Sequence, residues 1–191
     1  MHYEAKSFSI PELDGISAKT IEEHLGLYAG YVKHVNLIND QIAVLRAQEG
    51  DNTYAIAEIQ RRLGFEFGGM RNHEYYFAQF EGGSAGLKDG ACKDIIVKQF
   101  GSQDALVMLM KQVALTRGVG WAMLYIDRAS DQLVLTWVDE QHIGQLADLD
   151  IVLGLDMWEH SYMLDYPPSK KKEYIEAFFK NLNWDVVASR I

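Results

Sequence analysis

The 191-residue chain has one cysteine, Cys92, so no disulfide can form within it, and a reducing compartment such as the cytoplasm is expected. It also lacks basic charge. Eighteen Lys and Arg stand against 27 Asp and Glu, for a net charge of −9. A general nucleic-acid binder needs a basic stripe to neutralise phosphates, and the one run of like charge is Lys170, Lys171 and Lys172. No apolar run approaches the roughly 20 residues of a membrane span. The first residues, "MHYEAKSFSI", have no long apolar core, so no secretory signal is expected. Internal repeats and low-complexity tracts are absent as well. What is present is a globular composition, 48% hydrophobic and 12% aromatic, enough for one or two small domains with a real core.

The first half reads as helical. In "DGISAKTIEEHLGLYAGYVKHVNLIND", Ile21, Leu25, Tyr28, Val32 and Val35 fall at helical spacing, with Ser17 as N-cap. "NTYAIAEIQRRLGFEFGGMRNHEYYFAQF" predicts a helix, a break at Gly68 and Gly69, and a second helix through His73. The glycine-rich "EGGSAGLKDGA" marks a domain boundary, giving an N-terminal α-hairpin domain (1–82) and a C-terminal α/β domain (83–191). "ACKDIIVKQFGSQDALVMLMKQVALTRG" predicts two helices parted near Gly101, the second capped by Ser102. "WAMLYID" and "QLVLTWVD", joined by "RASD", form a β-hairpin pattern, and "DIVLGLDMW" supplies a third strand. "KKKEYIEAFFKNLNWDVVASR" closes the chain as a helix. The expected fold class is α+β, with a helical hairpin followed by helices around a three-stranded antiparallel sheet.

"GLDMWEHSYMLDY" places Asp156, Glu159 and His160 among large apolar side chains. A solvated helix has no use for Trp158 there, and a dry core has none for Asp156. A metal site accounts for both, with Asp156 and His160 facing one way four residues apart. Further ligands must come from His2, His24, His34, His73 or His142. Three histidines and one carboxylate suit iron or manganese. Each residue also has a plainer role: His24 or His73 as a hydrogen-bonded core residue, Asp156 as a cap, Glu159 as a surface acid.

Taken as an ordered set, these segments resemble the iron/manganese superoxide dismutase family along most of the chain. "DMWEHSY" matches the family run Asp-x-Trp-Glu-His-x-Tyr at Asp156, Trp158, Glu159, His160 and Tyr162. "NHEYYF" and "TIEEH" resemble its other two ligand segments, and "FGS", "GVGWAML" and "NLNWD" its C-terminal half. The resemblance implies one Mn or Fe ion per chain, held by His24, His73, Asp156 and His160 with a solvent molecule as fifth ligand, and superoxide as substrate. It implies aromatic walls including Trp121 and Trp158. It also implies a homodimer, or a tetramer built from it, in which Glu159 bridges to His160 of the partner.

A glutamine that hydrogen-bonds the bound solvent is implied too. Iron-type members carry it where this chain has Gly69; manganese-type members carry it where this chain has Gln141, which slightly favours Mn. The chain departs from the family at Tyr28 (usually His), Met163 (usually Tyr), Met123 (usually Trp) and Val32 (usually the active-site Tyr). Tyr28 and Met163 are expected to form one rebuilt gate. Tyr31 is expected to fill the role of the missing tyrosine, through loss of a one-residue π-bulge. Lys171 and Lys172 are the candidates for steering the superoxide anion. The alternatives are a different redox activity on the same metal, a non-catalytic relative, and a plain helical binding module.

Overall fold

A computed structural model describes residues 2–191. Two long helices, α1 (Ala18–Ala47) and α2 (Thr53–Ala78), fold back on each other as a hairpin. Ser17 caps α1 by accepting from Thr20 N, and the buried stripe Thr20, His24, Tyr28, Val32, Val35, Ile38 and Ile42 faces α2. The stripe repeats every three to four residues, as a one-sided helix requires.

The chain then passes through an irregular segment into α3 (Ala91–Phe100) and α4 (Gln103–Ala114), with Ser102 capping α4 through Ala105 N. Three antiparallel strands follow, β1 (Gly120–Asp127), β2 (Gln132–Asp139) and β3 (Asp150–Asp156), in the order β2-β1-β3. β1 is central and buried on both faces from Gly120 to Ile126. α3 and α4 pack on β2 and β1, and α2 packs on β3. α5 (Lys171–Asn181) and α6 (Trp184–Ala188) close the chain. This is the α+β architecture with a three-stranded antiparallel sheet. No helix of the described residues is long and apolar enough to cross a membrane.

Two expectations are corrected. α2 does not break at Gly68 and Gly69 but runs unbroken through His73. The glycines serve close approach. A Cβ on Gly69 would lie 2.5 Å from the Tyr31 ring, and one on Gly68 would collide with the Gln141 carbonyl oxygen. Glycine costs about 1 kcal/mol in a helix interior, which packing readily offsets. The C-terminal segment, in turn, is not one helix. Leu182 is extended, and Asn183 donates its N–H to Gln79 O and caps α6 by accepting from Asp185 N. The local capping chemistry of Asn183 defeats the continuous apolar pattern.

Candidate metal centre

Four elements deliver the centre. His24 lies on α1, His73 on α2, Asp156 at the end of β3, and His160 in the 3-10 turn Glu159–Ser161 that follows. Strand register sets the floor, because Trp121 of β1 pairs directly with Asp156 of β3. Asp156 is locked by its own main chain and carboxylate. Its Oδ1 accepts from Trp158 N at 2.7 Å, and its carbonyl accepts from Tyr174 Oη at 2.9 Å and Ser161 Oγ at 3.0 Å.

Three imidazoles converge on the other carboxylate oxygen. Nε2 of His24, His160 and His73 lie 3.1, 3.2 and 3.5 Å from Asp156 Oδ2. One donor atom from each of the four residues falls within 4.8 Å of all the others. His24, His73 and Asp156 have no exposed surface, and the His160 side chain is 19% exposed. His73 Nδ1 donates to Gly69 O at 2.6 Å, which fixes the tautomer and leaves Nε2 as a bare acceptor. That buried Nε2 has no hydrogen-bond partner, nor does His24 Nδ1. A cation about 2.1 Å from each donor spaces neighbouring donors about 3.0 Å apart at right angles and about 3.6 Å at about 120°. The three separations from Asp156 Oδ2 fall inside that range, and with all four donors within 4.8 Å of one another the set could hold a metal ion.

The electrostatics agree with that fit. Burial pushes the Asp156 carboxyl up, but His160 and His24 beside it outweigh this and hold it well below the usual carboxylate range. Burial, with His24 adding to it, pushes His73 down to about 3. Burial also lowers His24, against the opposing pull of Asp156. The result is one carboxylate and neutral imidazoles at His24 and His73, the protonation states that metal ligation requires.

Aromatic rings enclose the cluster. Tyr76 and Phe77 each lie 4.9 Å from the His24 ring; Tyr31 and Trp121 lie 5.0 and 5.1 Å from His73; Trp158 stacks on His160 at 5.7 Å. Phe65 closes the rim against Tyr31 and Trp158. Gln141 reaches in from the turn after β2, where Glu140 is left-handed at φ 51°. Its Oε1 accepts from Trp121 Nε1 at 2.9 Å and its Nε2 donates to Tyr31 Oη at 3.0 Å. α1 has no π turn, so Tyr31, seven residues after His24, lies on the His24 face.

Tyr28 is not part of this lining. Its hydroxyl accepts from Lys6 N at 2.9 Å and donates to Glu74 Oε1 at 3.2 Å, on the side of the N-terminal arm. Its packing partners are Phe8 and Phe77. Met163 is 47% exposed while Tyr28 is 1% exposed, with the Tyr28 hydroxyl engaged by Lys6 and Glu74. Glu159 is exposed, and its side chain makes no hydrogen bond among the described residues. Lys171 is half-buried, its ammonium lowered by burial against the pull of Glu159, and Lys172 is exposed. Phe65, Tyr76, Phe77, Tyr174, Asn72 and Gln145 escaped the sequence reading as site residues. A signal existed for Tyr76 and Phe77, which sit three and four residues after His73 on the same helix face.

Residues 88–190 match the family profile described as "Iron/manganese superoxide dismutases, C-terminal domain". The chain is similar to "Superoxide dismutase [Fe]" of Aquifex aeolicus, 35% identical over 93% of this chain and 85% of the relative. "Superoxide dismutase [Fe]" of Cupriavidus metallidurans is 34% identical over 100% of this chain and 96% of the relative. "Superoxide dismutase [Mn]" of Corynebacterium diphtheriae is 30% identical over 96% of each. Likeness over nearly the whole length, joined to a buried His-His-Asp-His cluster, means that the chain belongs to the iron/manganese superoxide dismutase family.

Proposed function

We propose that the chain is a superoxide dismutase whose one iron or manganese ion is held by Nε2 of His24, His73 and His160 and a carboxylate oxygen of Asp156. The observation that carries this is the convergence of three imidazole Nε2 atoms on Asp156 Oδ2, with His73 Nε2 buried and unpartnered. Bound there, the ion supplies one-electron chemistry by which one superoxide is oxidised to oxygen and a second is reduced to hydrogen peroxide.

The chain's own groups do the rest. Asp156 adds a negative charge that offsets the cation. Gln141 has a second Nε2 hydrogen beyond the one given to Tyr31, available to solvent in the pocket. Reduction of superoxide to peroxide consumes two protons, and Tyr31 Oη holds one at the rim. Burial and the charge of Asp156 push that phenol well above its ordinary range, so it stays protonated at neutral pH. Trp121, Trp158, Phe65, Tyr76 and Phe77 exclude bulk water and larger ligands.

Manganese is the metal we favour. The Tyr31 ring occupies the space at Gly69, so a glutamine there has no room, and Gln141 takes the role instead. The pairing of Glu159 with His160 of a partner subunit in a two-fold homodimer belongs to the same reading. It is supported by an exposed acid directly beside a partly exposed ligand histidine. The division into 1–82 and 83–191 is supported by the irregular segment before α3. Steering by Lys171 and Lys172 and a cytoplasmic location complete the proposal; Cys92 is a buried free thiol that burial pushes up to about 11.

The test is elemental analysis of the purified protein and a superoxide-decay assay after loading with each metal. About one Fe or Mn per chain with rapid decay is expected. Neither metal bound after refolding with each would sink the reading.

A further inference from the structure

Gln141 can act on the centre only if the short turn that carries it is held still, and the structure shows what holds it. The Gln141 carbonyl, pressed against Gly68, accepts from Asn72 Nδ2 at 3.0 Å. Asn72 Oδ1 in turn accepts from Gln145 Nε2 at 2.9 Å, and the same Nε2 lies 3.4 Å from Gln141 O. Gln145 Oε1 accepts from Tyr125 Oη at 2.7 Å. The chain of donors fixes every amide. The Gln141 carbonyl can only accept, so Asn72 must present its N–H₂ there and its oxygen to Gln145. Gln145 must then present its N–H₂ to Asn72 and its oxygen to Tyr125, whose hydroxyl donates. Asn72 adjoins His73, so the relay ties β1 and the Gln141 turn to the helix that bears a metal ligand.

We propose that Gln145 is a positioning residue for the centre: with Tyr125 and Asn72 it sets the depth at which the Gln141 amide meets the metal's solvent side. The inference rests on the proposed role of Gln141. A side chain that only stabilises the turn affects melting alone. One that sets the Gln141 amide also affects the electronic environment of the ion, because hydrogen bonds around a site tune its potential.

The test compares Gln145→Met, Tyr125→Phe and Gln141→Ala on metal-loaded protein, reading metal content, Tm and midpoint potential. Gln145→Met keeps the length and removes the amide. The expected result is full metal content and an oxidised-to-reduced ratio at fixed applied potential altered about tenfold, which is about 59 mV for one electron, in the direction of Gln141→Ala. Tyr125→Phe, which leaves the turn untouched, is expected to shift it about threefold in the same direction. A lowered Tm with the potential unmoved in both Gln145→Met and Tyr125→Phe, while Gln141→Ala shifts it, overturns the inference. An unmoved potential in Gln141→Ala overturns the underlying reading of Gln141 instead. If Gln145→Met fails to fold, Tyr125→Phe alone decides.

Discussion

Tyr28 and Tyr31 are three residues apart on one helix and end in opposite kinds of chemistry. Tyr31 rests on the His73 ring and accepts from a neutral amide, Gln141. Tyr28 rests on Phe77 and donates to a buried carboxylate, Glu74, which Lys6 and Arg71 also grip at 2.7 Å each. At Tyr31 this face of α1 thus meets a cluster that has more acceptors than donors and admits a cation. At Tyr28 it meets a charge-compensated lock between the N-terminal arm and α2. Aromatic residue type alone says nothing about which tyrosine serves which purpose; helix phase and the neighbouring charges decide.

The comparison predicts that substitutions on the two sides have different signatures. The largest effect is on the metal side. His73→Ala removes the unpartnered Nε2 and is expected to weaken metal affinity by more than about 100-fold and abolish dismutation, while the apo-protein still folds. Metal content after dialysis is the measurement, and full occupancy would move the site elsewhere.

Stripping the metal exposes a pH dependence confined to that side. His73 falls from its ordinary 6.5 to about 3 in the folded chain, and His24 is lowered as well. Between those values the unfolded state binds more protons than the folded one, so stability rises with pH across the window. As pH falls from about 6.5 toward about 3, the apo-protein is expected to lose up to about 1.4 kcal/mol per pH unit through His73, with His24 adding in the same direction. Denaturant unfolding at several pH values reads this slope. A flat profile means the imidazoles are not buried neutral.

On the arm side, Glu74→Ala leaves Tyr28 without its acceptor and is expected to cost about 1–3 kcal/mol of stability with the metal's potential unchanged. A shifted potential would show that the two sides communicate. Tyr31→Phe reverses the pattern. It removes the acceptor of one Gln141 hydrogen, a bond worth about 1 kcal/mol, so kcat is expected to fall about fivefold with Tm lowered by no more than about 2–4 °C.

How much of this was legible follows the same line. The four converging residues could be named from ordered motifs because a metal's demand for particular donors leaves a dense local signature, as in "DMWEH". The helical hairpin was legible from its regular apolar spacing, and the three strands from short runs of large apolar and β-branched residues parted by polar turns. The unbroken α2 was not. Gly68 and Gly69 look like helix breakers until Gln141 and Tyr31, 73 and 38 positions away in sequence respectively, are seen filling the space that side chains would need. The Asn72–Gln145 relay and the partners of Tyr28 were hidden for the same reason. Amides and carboxylates of ordinary surface composition acquire their roles only from long-range packing.

The smallest expected effect is the sharpest test of the separation between the two sides. Tyr28 and Met163 differ from the usual family residues together, which invites the reading of a single rebuilt contact. The structure gives them different surroundings. Tyr28 is 1% exposed within one chain, its hydroxyl held by Lys6 and Glu74, whereas Met163 is 47% exposed. A ring so fully covered by its own chain is out of reach of a partner subunit as well, so a Met163 brought in by dimer formation cannot touch it. Tyr28→His is expected to cost stability alone, by removing the hydroxyl that joins Lys6 N to Glu74, and Met163→Tyr to be nearly neutral as an exposed substitution. The double variant should then equal the sum of the two within about 0.3–0.5 kcal/mol. A double-mutant cycle in thermal stability measures this. A coupling above about 1 kcal/mol would restore the single gate and require Tyr28 to leave its lock in solution.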